Sequence, residues 1–203
     1  MSPSKTRTPA TEVRSALIAA GRRILEKEGA AALTVRAVAT EAGVAPMGVY
    51  NHFEGKEGLL NAVVTAGYAE FADTVAATDS DAAMRLRNSG RNYRAFALAN
   101  PTLYSLMFSL ECRADDEVAG RAFEVLADII RFGQAGGTIR DGDALMLAAQ
   151  TWACVHGAVS LELGASFPPF IDPAEAYEQV LDLVARGLSS PPDGPSPSGT
   201  MTP

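Results

Sequence analysis

Apolar positions recur at helical intervals through most of the chain. From Glu12 to Glu28 they fall at Val13, Ala16, Leu17, Ala20, Ile24 and Leu25, one stripe of a helix whose other faces carry basic residues. Gly29 stands where such a helix stops. Thr34 is placed to cap a second, short helix carrying Val35, Val38 and Ala39, and Gly43 to close it in the left-handed conformation. Pro46 suits the first turn of a third helix, which can run only to about Phe53 before Gly55 ends it. Ala39, Val44, Val49 and Phe53 fall where the second and third helices would bury against each other. A longer helix follows from Lys56 to about Ala77, with Leu59, Leu60, Val63, Val64, Gly67, Tyr68, Phe71 and Val75 in its repeat. Further helices are predicted at about 81–99, 101–110, 117–134, 143–164 and 173–188, with Pro101 and Pro173 near helix starts and Gly136-Gly137 in a turn. No strand pattern interrupts the series, so the expected fold is all-α. The closing run SSPPDGPSPSGTMTP has five prolines and little to bury, which predicts a disordered tail over 189–203.

Two short helices around a tight glycine turn form a helix-turn-helix, in which the second helix is free to enter a DNA major groove. Charge sharpens that expectation. The net charge of −7 argues against a nucleic-acid partner, but it is unevenly spread: residues 1–60 carry a balance of +2 and residues 61–203 one of −9. One end of the chain is fit to meet an anion and the other is not. At 203 residues, 47% hydrophobic and 20% charged, the composition is that of a folded protein with one or two cores. The polar, basic opening MSPSKTRTPATEV does not read as a secretory leader. Apolar stretches elsewhere are broken by Gln150, His156 or glycines before about 18 residues. A cytoplasmic protein without a membrane segment is therefore expected, with Cys112 and Cys154 buried and reduced.

Several ordered elements of LTVRAVATEAGVAPMGVYNHFEGKEGLL, namely T-V-R-x-V-A, A-G-V, Y-x-H-F and K-E-x-L-L, stand at the spacing of the TetR family of bacterial transcription regulators, which the chain resembles from about Arg14 to Leu60. Farther on, Arg91, Tyr93, Phe96, Ala97, Asn100-Pro101, Leu103-Tyr104, Met107-Phe108, Trp152 and His156-Gly157 are similar to the subgroup whose C-terminal region is called the WHG domain. The resemblance implies a three-helix DNA-binding domain followed by a helical ligand-binding and dimerisation domain. The division that follows is an arm at 1–11, a helix-turn-helix at 12–55, a second domain at 56–188 and the tail. It implies DNA contact from Thr34, Arg36, Ala45, Pro46, Met47, Gly48, Tyr50, Asn51, His52 and Lys56, with Thr34, Tyr50 and Lys56 on phosphates and Pro46, Met47 and Gly48 facing base edges. Two departures stand out: Ala45 replaces the usual hydroxyl cap, and Gly48 stands where a hydroxyl residue is frequent. Readout is then expected to lean on thymine methyls and DNA shape. Lys5, Arg7 and Arg14 are candidates for an arm along the backbone or minor groove.

In the later region Tyr93, Phe96, Tyr104, Met107, Phe108, Phe123, Trp152 and His156 are candidates to line a small-molecule cavity, against the plainer reading of ordinary packing. His156 is either a satisfied core histidine or a pocket donor. Arg91 and Arg94 suit an anionic ligand or, more simply, salt bridges to the abundant acids. The segment 143–164 is apolar nearly all round. With Tyr177, Val180, Leu181, Val184 and Leu188 on the last helix, it predicts a four-helix homodimer seam. Metal and catalytic chemistry find no footing. Cys154 and His156 point to different helix faces, and no phosphate loop or nucleophile elbow is recognisable, so no cofactor is expected. The function read from this is a ligand-released repressor on a palindromic operator. The alternatives are an activator, or a helical enzyme or carrier of a hydrophobic compound.

Overall fold

The computed structural model describes residues 9–110 and 112–190, so Lys5, Arg7 and the tail from residue 191 lie outside the described residues. Among these residues there are nine α-helices and no strand, only an isolated bridge between Ile139 and Ser189. They are α1 (Ala10–Glu28), α2 (Val35–Glu41), α3 (Pro46–His52), α4 (Gly55–Val75), α5 (Ala82–Ala99), α6 (Pro101–Met107), α7 (Asp116–Ala135), α8 (Ala144–Leu163) and α9 (Pro173–Leu188).

The chain forms two compact units. One comprises the chain to Thr74 together with 95–122, the other Val75–Arg94 together with the chain from Phe123. Most of α4 packs with the helix-turn-helix because its inner face is apolar toward α1 and α6. A side chain on Gly21 of α1 would meet Val63 at 3.0 Å, and one on Gly67 of α4 would meet Leu103 of α6 at 2.9 Å. Leu17, Leu25, Leu33, Val38, Val49, Leu59, Val63 and Leu103 are fully buried there.

In the other unit the core joins Leu86 of α5, Ala127, Ile129 and Ile130 of α7, Leu147 and Ala148 of α8, and Val184 and Leu188 of α9. Asp143 and Asp172 cap α8 and α9, each accepting two backbone N–H bonds. Tyr177 is buried and donates to the Gly90 carbonyl at 2.6 Å, tying α9 to α5.

Four expectations need correction. The helix from Pro101 stops at Met107 rather than 110, and Val44 is only half-buried. Neither cysteine is buried: Cys112 is half-buried, and Cys154 is exposed on the outer face of α8. Nor do Gln150 and His156 break the apolar stretch of that helix as expected. Its 20 residues are long and apolar enough to cross a membrane by length and composition alone, because its leucines, valines and alanines hold the mean hydropathy at 1.3 despite the two polar residues.

Candidate nucleic-acid interface

The helix-turn-helix is built by local chemistry. Thr34 Oγ1 accepts from the Ala37 N–H at 3.1 Å and starts α2. Gly43, at φ +68°, reverses the chain after α2, a conformation that costs other residues more than glycine. The Val44 N–H then reaches back to the Ala39 carbonyl at 2.9 Å. Pro46 opens α3, whose capping position, Ala45, contributes no side-chain bond. Val49 and Phe53, at 0% and 7% exposure, turn inward and fix the face that α3 shows outward. Of the residues expected to meet DNA, Thr34, Arg36, Ala45, Pro46, Met47, Tyr50, Asn51 and Lys56 are exposed, while Gly48 and His52 are half-buried.

The outward face is nearly neutral and unengaged. Met47 and Asn51 lie one turn apart at its centre, with Gly48 and Tyr50 on its flanks, as the helical period requires. Met47 is 66% exposed and Tyr50 59%. An open groove runs along residues 50–55 beside it. Cations stand around this face: Arg36 on α2, Lys56 at the start of α4, and Arg14, whose guanidinium lies 5.2 Å from the Phe53 ring centre. Glu54 and Glu57, on either side of Lys56, are exposed acids among them.

Behind α1 lies a cluster that the sequence pattern did not single out. Arg22 donates to Glu26 at 2.7 Å, to both Glu70 carboxylate oxygens, and to the Asn100 side-chain oxygen at 2.8 Å. Asn100 is the N-terminal capping residue of α6, but its side chain makes no capping bond. Its amide instead donates to the Phe96 carbonyl at 2.9 Å, so α1, α4 and the α5–α6 junction meet at one guanidinium. Contacts across 48 and 78 residues of chain leave no local signature, and only the spare hydrogen-bonding capacity of Asn100 before Pro101 hints at them.

The eight residues expected to line a cavity fall into two groups. Phe96, Tyr104, Met107 and Phe108 belong to the first unit, where Phe96 packs on Phe71 at 5.1 Å between ring centres and Tyr104 on Phe108 at 4.9 Å. Tyr93, Phe123, Trp152 and His156 belong to the second. There the Trp152 N–H donates to the Tyr93 hydroxyl at 3.3 Å, and that hydroxyl lies 3.0 Å from His156 Nδ1. The geometry is satisfied when the hydroxyl donates its proton to a neutral His156. Burial, which lowers the His156 pKa below its ordinary value, favours that form. Phe123 meets the Trp152 ring edge-on at 6.3 Å. Arg91 and Arg94 are in salt bridges, to Glu178 at 2.8 Å and Glu162 at 2.6 Å, as their plainer reading expected.

A helical chain with a capped short helix, a glycine turn and a second short helix bare to solvent is a helix-turn-helix protein. Residues 17–63 match the family described as "Bacterial regulatory proteins, tetR family", and residues 86–184 that described as "Tetracyclin repressor-like, C-terminal domain". The HTH-type transcriptional regulator Rv1816 of Mycobacterium tuberculosis is 30% identical over 224 residues, which covers 91% of this chain and 96% of that protein. A protein of unknown function from Rhodococcus sp. RHA1 shares the fold with a TM-score of 0.77 and 27% identity, over 94% of this chain and 100% of the other. A TetR-family transcriptional regulator of Pectobacterium atrosepticum matches with a TM-score of 0.74 over 93% and 100% of the two chains, and at 23% identity that likeness concerns the fold alone. This chain belongs to the TetR family and is a DNA-binding transcription regulator.

Proposed function

We propose that the protein is a repressor that binds a palindromic operator as a homodimer in the cytoplasm and leaves it when a small molecule binds the later helices. The observation that carries this reading is the unengaged face of α3. Met47, Tyr50, Asn51 and nearby Lys56 make no hydrogen bond or ion pair among the described residues, and they stand among cations at the one end of the chain with a positive balance. Met47 and Asn51 face the base edges; Tyr50, Thr34, Arg36 and Lys56 hold phosphates. Two copies related by a two-fold axis set their α3 helices roughly 34–36 Å apart, matched to successive major grooves.

The second copy covers the outer faces of α8 and α9, where Leu145, Met146, Leu161 and Leu183 are exposed. Release is attributed to the link at Arg22. Glu70 adjoins Phe71, and Asn100 holds the carbonyl of Phe96, so an effector that displaces the Phe71–Phe96 pair also displaces the partners of α1. A coupling of about 1–3 kcal/mol is enough to empty an operator.

The test is selection of bound duplexes from random or genomic DNA, followed by affinity against salt. The expected outcome is a palindrome bound with a steep salt slope. Tyr50→Ala should cost at least about tenfold in affinity, and Lys56→Ala should lower the slope by about one, with Tm unchanged in both. Failure to enrich any palindrome defeats the operator reading. A small molecule that binds the regulator without altering its operator affinity defeats the release reading.

A further inference from the structure

Glycine is a poor choice inside a helix, about 1 kcal/mol worse than alanine, so a helical glycine calls for a reason. Several glycines here have one inside the chain. A Cβ on Gly133 of α7 would lie 2.5 Å from the end of Ile139, one on Gly90 of α5 2.5 Å from Leu181, and one on Gly67 2.9 Å from Leu103. Gly48 of α3 has none. Its φ is not positive, and beyond its two chain neighbours a Cβ there would meet only Val44, at 3.6 and 3.7 Å, ordinary contact distances. Alanine would therefore fit the folded chain and favour the helix.

Room alone does not make a site, since Gly120 of α7 also meets nothing within 4 Å. Gly48 differs in its surroundings. It flanks the outward face of the helix assigned to DNA, beside exposed Met47, and the side of its missing Cβ is walled by the half-buried Val44. That wall is apolar, and the group glycine lacks beside it is a single methyl. The face beside it carries no guanidinium or ammonium group to select guanine, whereas Asn51, one turn from Met47, has the amide that pairs with adenine N6 and N7.

We propose that Gly48 is kept for DNA rather than for the fold: it lets α3 approach until the C5 methyl of a thymine in each half-site packs into the recess between Val44 and Met47. The operator therefore carries an A·T pair at that position. The requirement for glycine is the requirement for closeness, because a Cβ would occupy the space the methyl enters. This inference rests on the operator-binding reading above and specifies what that site selects.

Three measurements on one selected operator test it. Deoxyuridine, which lacks only the C5 methyl, is substituted for each thymine of the half-site in turn. At one position it should weaken the wild-type protein about fourfold per half-site, the value of burying one methyl-sized group. Gly48→Ala should bind the same operator at least tenfold more weakly and no longer distinguish thymine from uracil. The same variant should melt about 2 °C higher than wild type. Deoxyuridine without effect at every position overturns the proposal using the unaltered protein. So does a Gly48→Ala variant that binds as wild type, or one that melts lower and so reveals an internal need for glycine. If wild type enriches no duplex, the operator reading itself falls, an outcome distinct from all three.

Discussion

The outward face of α3 and the unit built by α5, α7, α8 and α9 use similar residues to opposite ends. In the second unit polar groups are engaged with one another: Arg87 with Glu178 and Asp182, Arg91 with Glu178, Arg94 with Glu162, and Tyr93 with His156 and Trp152. On α3 the comparable groups are idle. The glycines divide the same way, Gly133 being filled against by Ile139 while Gly48 is filled against by nothing from the core. Capacity left unused in a folded chain marks where an outside partner completes the chemistry, and capacity already used marks where the chain completes itself.

The sharpest way to break this contrast is to give each region the same added methyl. Gly133→Ala places a Cβ within 3.1 Å of three Ile139 atoms, one of them Cβ, which cannot rotate aside, so a loss of about 1–3 kcal/mol is expected in denaturant unfolding. Equal responses of Gly133→Ala and Gly48→Ala would erase the distinction. Arg22→Met comes next. It keeps the apolar stem but leaves the buried Asn100 oxygen and the Glu70 carboxylate without their donor, for an expected loss of about 1–2 kcal/mol and altered operator affinity. A variant that loses stability but binds the operator as wild type would confine Arg22 to a structural role.

The smallest effect belongs to His156. Its folded pKa lies below its unfolded value, so above about pH 6.5 both states are neutral and the group is silent. As pH falls through that value the unfolded chain takes up the proton first, and stability is lost. The Tm of wild type should therefore drop more between pH 7.5 and pH 5 than that of His156→Gln.

Much of the fold was legible because its punctuation is local. Gly29, Thr34, Gly43, Pro46, Gly55 and Pro173 each act within a turn of their own position, and the helix limits fall within a few residues of those expected, apart from the early end of α6. The exposed face of α3 was legible for the same reason, since its inward residues announce themselves by period. Arg22, Glu70 and Asn100 were not, because the bonds that join them span long separations, Arg22 and Glu70 are unremarkable in their own helices, and Asn100 stands between α5 and α6. The aromatic set was legible as a composition but not as an arrangement: nothing in the spacing tells Phe96, which packs on Phe71, from Tyr93, which meets His156.

The apolar outer face of α8 brings concentration into the behaviour of the protein. If two copies cover that face, folding and pairing share one equilibrium, and Tm climbs as the protein is concentrated. Operator occupancy at low abundance then rises with the square of the number of chains rather than in proportion to it. A cell that halves its supply of this regulator would cut occupancy to about a quarter. In such a dimer the exposed Leu145, Met146 and Leu161 would help decide how abruptly a gene is switched as well as how the chain is assembled.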